Sequence, residues 1–170
     1  MIVKRFLIYS LFFIFSISSK VWSNENIAFL DVDYIVNKSK PAISIINEIE
    51  KLKEKEQKKL KKIGDELQKK NDEIAKSKNL LSEKELNDKI ISLREEAKTF
   101  EQTKIKKINE INKKRATELN KFLQLIRPVI AEYMKENSIS MIIDKKNLFM
   151  GESKKDITKD ILDLVNKKIK

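Results

Sequence analysis

Asp156, Asp160 and Asp163 are the carboxylates whose spacing most invites chemistry. Steps of four and three set them along one side of a helix, where three acidic groups could hold a divalent cation. The same groups in the first turns of a helix stabilise its N-terminus. With no further ligand type beside them, the helix-end role is the expected one. The chain contains no Cys and no His. That excludes disulfides, thiol nucleophiles, the usual zinc sites and imidazole acid–base catalysis. Two glycines in the whole sequence leave no phosphate-cradling loop. The reading is therefore of a protein with no catalytic residues, no metal and no cofactor. What remains is non-covalent chemistry of two kinds. Basic clusters recur at Lys58-Lys59, Lys61-Lys62, Lys69-Lys70, Lys106-Lys107 and Lys113-Lys114-Arg115. Apolar doublets recur at Ile45-Ile46, Leu80-Leu81, Ile90-Ile91 and Phe122-Leu123. Helical neighbours point about 100° apart, so a doublet cannot place both members in one narrow seam.

The element that positions these groups is a long stretch from Asn47 to Arg127. Apolar residues recur at helical spacing on the way out (Ile49, Leu52, Leu60, Ile63, Leu67, Ile74). They recur on the way back at Leu86, Ile90, Leu93, Ala97, Phe100, Ile105, Ile108, Ile111, Leu119, Phe122 and Ile126. Lys, Glu, Gln and Asn cover the rest, so each run predicts a helix with one narrow apolar stripe. Ser82 followed by Glu85 is a capping box, with Leu81 and Leu86 at the spacing of a hydrophobic staple. A fresh helix is expected from Glu83, after a first that ends near Asn79. The result is an antiparallel hairpin whose outgoing helix is about 57 Å long. Gly64 makes a bend plausible in the outgoing helix, and Pro128 should kink the returning one.

The ends of the chain carry the strands. Ile27-Ala28-Phe29-Leu30-Asp31-Val32 predicts a near-continuously apolar strand, covered on both faces. Asp33 can cap a short helical turn, and Ser39 the outgoing helix, with Pro41 in its first turn. Ile139–Ile143 predicts a second strand, Asp144–Asn147 a turn, and Leu148-Phe149-Met150 a third, short strand. Asp156 or Thr158 caps a final helix bearing Ile157, Ile161, Leu162, Val165 and Ile169. Lys4 and Arg5, the apolar run Phe6–Ile17 and the small residues up to Ser23 have the pattern of a signal peptide cut after Ser23. An uncleaved anchor helix is the alternative. The net charge is +11, and most of the excess lies between residues 48 and 127.

The fold expected is α+β: residues 24–40 and 128–170 form a three-stranded β body, and residues 41–127 a helical arm. Ile27, Phe29, Leu30, Val32, Met141, Ile142, Ile143, Leu148 and Phe149 are its expected core. A body this small with open apolar edges invites pairing with other copies. A strongly basic chain can bind nucleic acid, but the export signal and the lack of aromatics among the arm's lysines argue against it.

The segment Ile27–Val32 after a signal peptide, the charged hairpin, and the tail Ile139–Asp144 with Asp156-Ile157-Thr158-Lys159-Asp160-Ile161-Leu162 resemble the Skp (OmpH-like) family. The resemblance spans the sequence beyond the signal peptide. It implies a homotrimer whose strands join in a central barrel, with three arms around a cavity. It implies a periplasmic chaperone that holds unfolded outer-membrane proteins there without ATP. Leu80, Leu81, Ile90, Ile91 and Phe100 are then the candidate client contacts. The cationic arm would draw in acidic chains, or anionic lipid and lipopolysaccharide headgroups. The competing reading is a coiled-coil spacer or adaptor with no client.

Overall fold

The computed structural model describes residues 26–169. The signal-peptide reading lies outside them. The order is β1 (Ile27–Leu30), α1 (Val32–Lys38), α2 (Lys40–Ser77), α3 (Glu83–Glu136), β2 (Met141–Asp144) and α4 (Thr158–Lys168). Two 3-10 turns, Lys145–Asn147 and Ser153–Lys155, lie between β2 and α4. No helix among the described residues is long and apolar enough to cross a membrane.

Helices α2 and α3 form the expected hairpin, about 57 Å and 81 Å long by their 38 and 54 residues. At its tip the Ser82 hydroxyl accepts from the Glu85 N–H, and the Glu85 carboxylate accepts from the Ser82 N–H at 3.0 Å. Helix α2 runs unbroken through Gly64, and α3 runs through Pro128. At its far end, α3 closes with Ser138 at φ 51° and the Ile139 N–H donating to the Met134 carbonyl at 2.9 Å. That left-handed residue turns the chain out of the helix and towards β2.

The two strands pair in parallel, Ile27 opposite Met141 and Leu30 opposite Asp144. The arm thus closes more than a hundred residues of separation. Ala28, Leu30 and Ile142 face the helices, where Ile35, Ala42, Phe122, Ile126, Ile157, Ile161 and Val165 complete the core. Ile27, Phe29, Met141 and Ile143 occupy the opposite face, as alternation requires.

Three sequence expectations need correction. The sheet has two strands among the described residues, not three. The Leu148 N–H bonds back to the Lys145 carbonyl at 3.1 Å, so the chain turns after Asp144 as expected, but Leu148–Met150 does not go on as a strand. The far side of β1 is already taken: Phe29 bridges to Asp156, and its carbonyl accepts from the Ile157 N–H at 3.0 Å. Strand β1 ends at Leu30, because Asp31, not Asp33, caps α1 by accepting from the Tyr34 N–H at 2.8 Å. Ser39 does sit at the N-cap of α2, but its side chain makes no capping bond; its hydroxyl is buried with no partner.

Candidate functional site on the arm and the base

The hairpin seam is apolar at both ends and polar in its middle. Near the base, Ile49 of α2 and Phe122 and Ile126 of α3 are buried. Farther out, Leu52, Leu60, Leu67 and Ile74 lie half-buried, as do Leu93, Phe100 and Ile111 on the returning helix. The Phe100 ring lies over Gly64, close enough that a methyl group there would meet it at 3.6 Å. Between Phe100 and Ile111 the partly covered positions are Thr103 and Lys107. Glu56 faces this stretch from α2. Its carboxyl is held below the usual range by the bond from Lys59, at 2.6 Å, with Lys107 adding to the effect. The Lys107 ammonium is raised by Glu110 at 2.7 Å and, more weakly, by Glu56. Farther towards the tip, Lys70 and Glu96 join the two helices at 2.6 Å.

The structure separates the five candidate contacts into two groups. Leu80 is 87% exposed and Ile91 45% exposed. Leu81, Ile90 and Phe100 are half-buried along the hairpin. Two further residues belong with the open group. Ile105 is 57% and Ile108 48% exposed, although their apolar character placed them on the seam in the sequence. The available signal was spacing: Phe100, Thr103, Lys107 and Ile111 keep steps of three and four, and Ile105 and Ile108 fall outside them.

At the base, the nine expected core residues also divide. Phe29 and Leu30 are buried; Val32, Ile142, Ile143 and Leu148 are half-buried; Ile27 sits at the margin. Met141 and Phe149 are open, Phe149 fully so, and Met150 beside it is exposed as well. Phe149 stands out because its neighbours are pinned. A Cβ on Gly151 would come within 2.7 Å of both the Leu148 and Phe29 side chains, so only glycine fits there. The loop is drawn tight against Phe29, and Phe149 and Met150 point away. In a single chain, one face of the sheet and the free edge of β2 are therefore incompletely covered.

The three aspartates have separate tasks. Asp156 accepts from the Thr158 N–H at 3.0 Å and from Lys145 at 2.7 Å. Burial works to raise its carboxyl, but Lys145 and Thr158 outweigh that and hold it below the usual range. Thr158 in turn accepts from the Asp31 N–H at 2.9 Å, tying α4 to the end of β1. Asp160 accepts from the Tyr133 hydroxyl at 2.7 Å; burial and this bond push that hydroxyl's pKa up to about 12. Asp163 is exposed. Among the described residues, no group of three or more acidic side chains is placed to hold a metal ion.

The sequence profile of the family described as "Outer membrane protein (OmpH-like)" matches residues 26–165. Among solved structures, the chain is similar to one described as a candidate outer membrane chaperone (OmpH-like) from Caulobacter crescentus CB15. The TM-score is 0.79 at 12% identity, over 85% of each chain, a likeness of fold. No curated protein matches the sequence.

Proposed function

The chain belongs to the OmpH-like family, and from that premise we propose that it is a periplasmic holdase that keeps unfolded outer-membrane proteins from aggregating. The observation that carries the reading is a projecting arm that leaves large apolar side chains in solvent, Leu80 and Ile91 among them. Scattered apolar groups give weak, non-directional attraction. Many such contacts hold an unfolded chain without imposing a fold on it, and no nucleotide is needed for release. The surrounding lysines recruit acidic chains, or the headgroups of anionic lipid and lipopolysaccharide, over a longer range. Nucleic acid is not an expected partner. The first 23 residues direct export and are removed after Ser23.

The base supports assembly into a homotrimer. Ile27, Met141, Phe149 and Met150 are apolar and exposed at this end of the molecule, and β2 has a free edge among the described residues. A second and third copy would cover them and join the strands around one axis, leaving the arms to enclose a cavity. Two measurements test the proposal. The protein should suppress aggregation of a urea-unfolded β-barrel membrane protein at about one trimer per client. Its mass in solution should be that of three chains, and Phe149→Ser should shift it towards single chains. A protein that leaves aggregation unchanged, or whose mass is that of one chain, sinks the proposal.

A further inference from the structure

Ile105 and Ile108 present a local conflict. A hairpin with two isoleucines available places Thr103 and Lys107 towards its seam and leaves the isoleucines on its surface. Such departures from the expected pattern concentrate where a surface is used for something else. The rotation of α3 is fixed on either side, by Phe100 over Gly64 and by buried Phe122 and Ile126. Ile105 and Ile108 therefore cannot turn inward without unpacking one of those ends.

Their position on α3 gives the conflict a direction. Ile90 and Ile108 are eighteen residues apart, about five full helical turns, so they share one azimuth about 27 Å apart. Ile91 and Ile105 lie about 100° and 60° round from that line, on the same side and about 40° from each other. One side of α3 thus carries two apolar rungs, Ile90-Ile91 near the tip and Ile105-Ile108 at mid-length. Between the rungs this flank carries Arg94 and Lys98, and one carboxylate, Glu101, which is engaged by Lys104. The space between the rungs is net cationic.

We infer that this flank of α3 is a two-rung track for an extended, net-acidic segment of unfolded polypeptide. The inference rests on the holdase reading and assigns it a surface. An extended chain rises about 3.3 Å per residue, so the rungs, about 21–27 Å apart, are spanned by about six to eight of its residues. Side chains alternate faces, so apolar residues about six or eight apart present both contacts from one side of the segment. Carboxylates between them meet Arg94 and Lys98. The segment preferred is one with apolar side chains in alternation, about six to eight residues between anchors, and acidic groups among them.

The experiment uses photo-crosslinking residues placed singly at Ile91, Ile105, Ile108 and, as an off-track control on α2, Lys58. The probe is a urea-unfolded β-barrel membrane protein diluted into buffer. Capture from positions 91, 105 and 108 should exceed capture from 58 severalfold. A double variant, I105Q/I108Q, should keep its helix content and melting temperature, because both side chains are already half in water. It should lose about five- to tenfold in affinity for the same probe, as expected for removing two partly buried aliphatic contacts. Failure of the wild-type protein to hold the probe at all would refute the holdase reading itself. A wild type that holds the probe while position 105 captures no more than 58 refutes the track alone. So does crosslinking from 105 to a second copy of the chain in the absence of probe. Loss of binding to anionic phospholipid vesicles in I105Q/I108Q, with probe affinity unchanged, also overturns it.

Discussion

The sequence contains two glycines, and the same substitution at each should move stability in opposite directions. At Gly151 a new methyl group would lie 2.7 Å from Leu148 Cδ2 and 2.7 Å from Phe29 Cε1. Carbon atoms rest at about 3.5–4.0 Å, so each neighbour must retreat by roughly 1 Å. Phe29 cannot retreat easily. It is buried, and its backbone is held by β2 on one side and by the Ile157 N–H on the other. Overpacking of this kind destabilises by about 1–3 kcal/mol. The glycine φ is not in the left-handed region, so the effect is steric and not a backbone preference. At Gly64 the same methyl group would reach Phe100 Cζ at 3.6 Å, ordinary contact within an unbroken helix. There Gly→Ala removes a helix-propensity deficit of about 1 kcal/mol.

At about 3 °C per kcal/mol for a chain of this size, Gly151→Ala should lower the melting temperature by about 3–9 °C. Gly64→Ala should raise it by about 3 °C on the same scale. Far-UV circular dichroism melts at one fixed protein concentration read both, since association alters apparent stability. If arm and base melt separately, each glycine should move its own transition. Should Gly151→Ala melt like the parent protein, the loop does not press on Phe29 as described. A lowered transition for Gly64→Ala would mean that Phe100 sits tighter on α2 than 3.6 Å allows.

Three other predictions follow from side chains already placed. The Asp156 carboxyl is depressed, so its contribution is fully present above the unfolded value of 3.8 and is lost as pH falls through the folded pKa. Lys145 is raised, so its share persists up to 10.5 and fades above it. The melting-temperature gap between parent and Asp156→Asn should therefore narrow below pH 4; a gap constant from pH 5 to 2.5 would remove that role for Asp156. Ser82→Ala should lose about 1 kcal/mol of cap stability, whereas Ser39→Ala should lose none, because its buried hydroxyl makes no bond; equal losses in urea titrations would contradict this. Client capture, if led by the arm's lysines, should slow as salt rises and the screening length falls from about 10 Å at 0.1 M to 3 Å at 1 M. A stopped-flow rate indifferent to salt would discard electrostatic recruitment.

What could be read from the sequence was what local chemistry decides. Ser82, Glu85, Leu81 and Leu86 define the tip within six residues, and the capping box forms there. The pairing of β1 with β2 was legible from a different constraint: two apolar strands at opposite ends of the chain must meet. The misreadings lie where a distant partner chooses between equal local options. Asp31 and Asp33 could each cap a helical turn. Asp31 does so where its own N–H is fixed by Thr158, 127 residues away. Leu148-Phe149-Met150 has strand composition, but the far side of β1 belongs to Asp156 and Ile157. Ile105 and Ile108 were misplaced for another reason. Apolar character and seam spacing usually agree, and between Phe100 and Ile111 they do not.

That disagreement can be separated from the surface it leaves behind. T103V/K107L would place two apolar side chains in the polar stretch of the seam while leaving Ile105 and Ile108 where they are. The lost ion pair with Glu110 is exposed and of little weight, whereas a Leu and a Val in the half-covered seam exclude water from it. The melting temperature of the arm should rise, and amide exchange between residues 100 and 111 should slow. If Thr103 and Lys107 are in the seam only because α3 is held by Phe100 and Phe122, client affinity should be unchanged by this tightening. A fall in affinity with the flank intact would mean that the arm must open at its middle to engage a client, and that the polar seam serves that opening. A drop in melting temperature would instead show that Lys107 is not facing α2, and the rotation assigned to α3 would have to be redrawn.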